Sequence, residues 1–122
     1  PPSLDALTDW PVVYPPDGSA IAPLVERFLI ANGVGEIPRK LETVSGAFGR
    51  VYTHRSDAIW IISSGVVANE VAEGKLVELP FDTSLTTGPV GLMLRPDAEP
   101  ALGVEPFRKV LEEVVARLVP AR

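Results

Sequence analysis

Three short stretches of this chain combine small hydroxyl residues and glycines where an extended segment gives way to a helical one. They are Gly18-Ser19, Thr43-Val44-Ser45-Gly46 and Ser63-Ser64-Gly65. A strand-to-helix junction of this kind presents free backbone N–H groups and a hydroxyl at the positive end of the helix dipole, which suits a carboxylate or a phosphate. Ordinary capping uses the same residue types, so each junction taken singly reads as a helix cap. Three at one edge of one sheet make a ligand site the competing reading.

Other chemistry is thinly represented. A serine nucleophile at Ser63 or Ser64 needs a base, and the single histidine, His54, lies in the polar run Thr53-His54-Arg55-Ser56. No serine sits in a G-x-S-x-G elbow. His54 reads as a solvated surface residue. Arg50 and Arg55 are able to pair with an anion, although a surface role is the simpler reading of each. With one histidine, no cysteine and singly scattered carboxylates, no metal set is expected, and no cofactor is implied. Gly33-Val34-Gly35 ends a helix where a dinucleotide-binding loop has to begin one, and Gly46-x-x-Gly49 is equally weak.

The elements that must position the three junctions follow from periodicity. Trp10-Pro11-Val12-Val13-Tyr14 reads as a buried strand stopped by Pro15-Pro16-Asp17-Gly18. Ser19 opens a helix whose apolar residues Ile21, Leu24, Val25, Phe28 and Leu29 fall on one stripe, capped by Asp17 or Ser19 and stopped at Asn32-Gly33. Residues 40–44 alternate as a half-exposed strand does. Residues 45–52 form a short helix weakened by two glycines, and residues 58–62 a central strand. Residues 66–73 are helical and end at Gly74. Strands are expected again at 76–79 and 90–94. The last helix carries the stripe Phe107, Val110, Leu111, Val114, Val115, Leu118, with Pro106 in its first turn; its interleaved Glu105, Glu112, Glu113, Arg108, Lys109 and Arg117 form a solvated face. Alternating strands and helices predict an α/β fold, a mainly parallel sheet flanked by helices.

Composition narrows the function. At 122 residues with 46% apolar and 22% charged residues, the chain suffices for one core. A net charge of -5 argues against this segment gripping a nucleic-acid backbone itself. No apolar run approaches the roughly 20 residues that span a bilayer, and no signal-peptide pattern is present. The absence of cysteine allows a cytoplasmic setting. The chain opens on Pro1-Pro2 and its one methionine is Met93, so a fragment of a longer protein is expected.

The ordered set Trp10–Ser19, Glu42-Thr43-Val44-Ser45, Ser56–Ser63, Gly74–Pro80 and Gly88–Leu92, completed by the Phe107 helix, resembles the effector-binding domain of LysR-type transcriptional regulators. Within that family the likeness is to regulators of protocatechuate (aromatic-acid) catabolism and related sugar-responsive regulators. The resemblance implies a periplasmic-binding-protein-like (type II) fold of two hinged subdomains around an effector cleft. It implies a lead-in at residues 1–8, the second subdomain at 9–87, and a strand and helix at 88–122 that return to a first subdomain otherwise absent. It carries effector contact to Thr43, Val44, Ser45, Ser63 and Ser64, and to Gly18 and Ser19. It further implies a small carboxylated metabolite as ligand, a homodimer or higher homo-oligomer, and DNA contact only through a missing N-terminal domain. The 52–58 segment departs from the Gly-rich entry that many relatives have. A lobe of a two-lobed solute-binding protein and a small α/β enzyme are the rival readings.

Overall fold

The computed structural model describes residues 3–99 and 101–118. Pro1 and Pro2 of the lead-in, and residues 119–122 at the end of the expected C-terminal segment, lie outside the described residues. The chain divides into two compact units, Pro1–Gly88 and Pro89–Arg122.

The first unit is built on three parallel strands, β1 (Val12–Tyr14), β2 (Lys40–Glu42) and β3 (Ile59–Trp60), in the order β2-β1-β3. Val12, Val13 and Tyr14 stand opposite Lys40, Leu41 and Glu42, while Val12 and Val13 stand opposite Ile59 and Trp60. Helix α1 (Ala22–Ala31) links β1 to β2, and α2 (Gly46–Arg55) links β2 to β3. Successive side chains of a strand point to opposite faces, yet Val12 and Val13 are both 0% exposed. Both faces of the central strand are therefore covered. Val12 joins Val25, Phe28 and Leu29 of α1 in the main core, together with Leu7, Val34 and Ile37. Val13 points the other way and shares its face with Trp60, whose ring lies against Gly49 of α2. A Cβ on Gly49 would stand 2.3 Å from that ring, so helix and strand meet here at a distance that only glycine allows.

Helix α1 ends as its sequence dictates. Gly33 takes φ +72, its N–H reaches the Ile30 carbonyl at 3.1 Å, and the Val34 N–H reaches the Leu29 carbonyl at 2.9 Å. This pair of bonds is a Schellman stop, and it carries Val34 into the same cluster as Leu29. A five-residue helix, α3 (Ala68–Ala72), ends the same way, with Gly74 at φ +74 and the Lys75 N–H on the Glu70 carbonyl at 2.8 Å.

Several expectations are corrected. The start of the chain is more than a lead-in. Leu4–Asp9 form a 3-10 helix with Ser3 at its N-cap, and Leu7 sits 4% exposed in the core; the Arg39 guanidinium also donates to the Asp9 carbonyl. Trp10 is half-exposed and lies before the strand; Pro11 has no N–H to give, so the first ladder donor is Val12, while the Pro11 carbonyl already accepts from the Ile59 N–H. Helix α1 begins at Ala22 after a run of turns, with no side-chain cap from Asp17 or Ser19, since Pro23 fixes its first turn instead. The stretch 66–73 is divided into a 3-10 turn at Ser64–Val66 and α3. The expected strands at 76–79 and 90–94 do not form. Neither segment finds a ladder partner among the described residues, and an apolar run cannot become a strand without one.

The second unit contains α4 (Val104–Leu118). Among its described residues none is buried: Phe107, Val110, Val114, Val115 and Leu118 are all exposed along its apolar stripe. No described helix is long and apolar enough to cross a membrane.

Candidate functional site at the carboxyl edge of the sheet

Because all three strands run parallel, every strand-to-helix junction falls past the same end of the sheet. Thr43 follows β2 directly and its N–H is bonded to the Tyr14 carbonyl at the end of β1, at 3.2 Å. On the other side, the Ile61 N–H meets the Val13 carbonyl at 3.0 Å, which aims Ile62, Ser63 and Ser64 beyond the same edge. Gly18 and Ser19 follow β1 after the rigid Pro15-Pro16 pair. Gly18 has φ +85, a backbone state that side chains with a Cβ rarely adopt. In such sheets the crevice outside the carboxyl ends of the strands is where ligands bind.

The hydroxyls at this edge differ in what they do. At the second junction Ser45 caps α2, its Oγ accepting from the Phe48 N–H at 3.1 Å, and Thr43 Oγ1 accepts from the Ser45 N–H at 3.0 Å. A hydroxyl that accepts from a backbone N–H keeps its own O–H to donate outward. The Gly46 and Ala47 amides of the first turn have no acceptor within the helix. Val44, between the two hydroxyls, is 82% exposed and apolar. The second junction thus offers donors for an anion and a patch of hydrocarbon beside them.

At the other two junctions the side chains do not cap. Ser63 stands at the N-cap of the 3-10 turn Ser64–Val66 but makes no capping bond, and both serines are exposed. Ser19 Oγ is buried without a hydrogen-bond partner. Capping explains Thr43 and Ser45; it does not explain Ser19, Ser63 and Ser64.

Around this edge α2 is braced to the segment that follows β3. Arg50 Nε donates to Glu70 Oε1 at 2.8 Å, and Arg50 Nη2 donates to the Val66 carbonyl at 2.8 Å. His54 Nδ1 lies 3.1 Å from the Lys75 carbonyl. Sequence reasoning read Arg50 and His54 as solvated surface residues. Both are on the surface, yet each has defined partners 16 to 21 residues away in sequence, which no local pattern announces. Arg55 is exposed. Among the described residues no group of three or more His, Asp or Glu is placed to hold a metal ion.

A hollow of about 290 Å³ lies elsewhere, between α1 and the start of β2, lined by Tyr14, Glu26, Leu29, Ile30, residues 34–37 and Lys40. Burial holds the Tyr14 phenol above its ordinary pKa, opposed by the Lys40 ammonium 4.7 Å from the ring centre. None of the junction residues lines this hollow.

Comparison with known proteins agrees with the topology. The family model for the LysR substrate binding domain matches residues 1–116. The HTH-type transcriptional regulator PcaQ of Agrobacterium fabrum (strain C58 / ATCC 33970) is 49% identical over 118 residues, which is 97% of this chain and 38% of the regulator. PcaQ of Rhizobium radiobacter gives the same figures. The uncharacterized HTH-type transcriptional regulator YdcI of Escherichia coli (strain K12) is 29% identical over 96 residues, 79% of this chain and 31% of that protein. The chain therefore spans well under half the length of these curated relatives. No solved structure matches it significantly. The relatives are transcriptional regulators rather than enzymes, and the parallel three-stranded sheet is the α/β arrangement of a type II periplasmic-binding-protein-like fold. The chain belongs to the LysR substrate-binding-domain family.

Proposed function

We propose that the carboxyl edge of this sheet is one wall of an effector cleft in a LysR-type transcriptional regulator that controls an aromatic-acid (protocatechuate) catabolic operon. The single observation that carries this reading is that Ser19, Ser63 and Ser64 stand at that edge without capping duty, beside a helix N-terminus whose caps still have hydroxyl donors to offer. Thr43, Ser45, Ser63 and Ser64 donate to a carboxylate, Val44 packs against the hydrocarbon part of the ligand, and Gly18 and Ser19 close the end nearest β1. Residues 9–87 are the second subdomain of the effector-binding domain. Residues 88–122 return to the first, where the 90–94 segment finds the ladder partner that it lacks among the described residues.

In this reading the ligand shifts the relative orientation of two subdomains and so biases two states of a homo-oligomer, which contacts DNA through a separate N-terminal domain. The protein works in the cytoplasm, and no bond is made or broken. The position of His54 favours a non-catalytic role: its Nδ1 faces the Lys75 carbonyl rather than a serine. The high identity to regulators over nearly the whole chain favours this reading over a solute-binding lobe.

The ligand chemistry is tested by thermal unfolding of the purified full-length regulator with protocatechuate, with the acyclic carboxylates that opening its ring yields, and with the methyl ester of each acid. A ligand at about 100 times its Kd adds about 2.7 kcal/mol of stability, a rise of several degrees. At least one free acid is expected to raise the melting temperature in this way, and its ester to leave it unchanged. Equal stabilisation by acid and ester, or by none of the acids, rules out the carboxylate reading.

A further inference from the structure

We infer that Arg50 is a positioning residue that sets the spacing between the second and third junctions of the effector edge, and hence the affinity for effector. This rests on the assignment of that edge as the binding wall.

Arg50 lies one turn past the Ser45 cap, on the helix that begins at the second junction. Its guanidinium lies alongside the first turn of that helix, since a Cβ on Gly46 would stand 2.9 Å from Nη1. From there Nη2 reaches the carbonyl of Val66, the last residue of the turn that contains Ser64, and Nε reaches Glu70 in α3. One side chain therefore spans from the base of the Thr43-Val44-Ser45 junction to the segment that carries Ser63 and Ser64. The sheet does not do this itself. The last ladder bond on that side is Ile61 to Val13, and the turn after Ile62 has no side-chain cap to fix it. The Glu70 carboxylate is more sheltered than the guanidinium, at 22% against 40% exposure, so the pair faces partly into protein and is only partly screened by water. The planar fork of arginine serves two acceptors at once, which the single ammonium of lysine does not reproduce at the same spacing.

The experiment is a titration of promoter output against supplied protocatechuate in cells whose sole copy of the regulator is the full-length protein, wild type or variant, with regulator abundance measured alongside. Arg50→Ala is expected to raise the half-maximal concentration about fivefold, the scale of a partly exposed ion pair, with the fully induced output and the regulator abundance unchanged. Glu70→Ala should shift it in the same direction. The double variant should be no worse than Arg50→Ala alone, because both changes remove one shared interaction. Arg50→Lys should restore part of the shift. A merely structural role would instead lower abundance and maximal output together. The inference is overturned if Arg50→Ala titrates within twofold of wild type while Thr43→Ala with Ser45→Ala cannot be induced; the edge then stands without its brace. If that double variant responds like wild type, the edge assignment falls, and the inference with it.

Discussion

Thr43→Ala combined with Ser45→Ala is expected to abolish the inducer response of the full-length regulator. Each hydroxyl that donates to a charged ligand is worth about 1.5–3 kcal/mol, so losing two weakens effector binding by about two to four orders of magnitude. The same change also removes the N-cap of α2, where Ser45 Oγ holds the Phe48 N–H, at a cost of about 1 kcal/mol in stability. The two effects are separable. Ser45→Asp retains a good cap and adds a favourable charge at the helix N-terminus, yet it places a carboxylate where the ligand's own carboxylate should lie. That variant is expected to fold at least as well as wild type and still fail to induce. Promoter output against supplied protocatechuate, read beside a thermal unfolding curve, checks both halves. Normal induction by the Ser45→Asp protein would sink the assignment of this edge.

Gly49→Ala is expected to destabilise the protein by about 1–3 kcal/mol, the usual cost of overpacking a fitted contact. The sign is the informative part. At an exposed helical position the same substitution would stabilise by about 1 kcal/mol, because alanine is the better helix former. Here the new methyl would meet three atoms of the Trp60 ring at 2.3, 2.5 and 2.7 Å. Either α2 lifts from the sheet or the indole leaves its seat, and both expose the face of the sheet that buries Val13. The urea midpoint should therefore fall, and in a Trp60→Leu background the same change should cost far less. A rise in the midpoint on Gly49→Ala would mean that α2 does not rest on Trp60.

Much of the fold was legible because the physics involved is local. Val25, Phe28 and Leu29 recur at helical spacing, Gly33 supplies the only conformation that closes α1 cleanly, and the Val12-Val13 pair is apolar on both faces because helices cover both. The order of strands and helices then placed all three junctions at one edge without knowledge of any distance. What stayed hidden depends on distant partners. Leu7 did not announce itself as core, because Leu4 and Leu7 among Asp5, Thr8 and Asp9 make too short a pattern to define an element, and only the folded chain shows that Leu7 closes the main core with Leu4 packed beside it. The 76–79 and 90–94 segments have the composition of strands, but composition supplies no ladder. Arg50 was legible only as a cation able to pair with an anion, and its bracing role was not, since its two acceptors lie 16 and 20 residues away. At the site, residue types could not separate caps from free hydroxyls. The geometry did so, assigning capping to Ser45 and none to Ser19 or Ser63.

The parallel order β2-β1-β3 also has a consequence for how such a module can diversify. The returns from α1 to β2 and from α2 to β3 lie at the far end of the sheet, whereas every junction after a strand lies at the other. Changes of length at the exposed Gly35-Glu36 or Ser56-Asp57 pairs leave the hydroxyls at the edge in place, whereas Ile37 and Arg39 at that same far end are held by the core and by the ladder bond from Val12. Conversely, Val44, Ser63 and Ser64 can be exchanged without disturbing the valines beneath them, because none of the three is part of the buried cluster. Selection on ligand preference and selection on folding therefore act on separate ends of one small sheet. A lineage can drift from one metabolite to another through a few exposed positions while the scaffold that holds them stays the same.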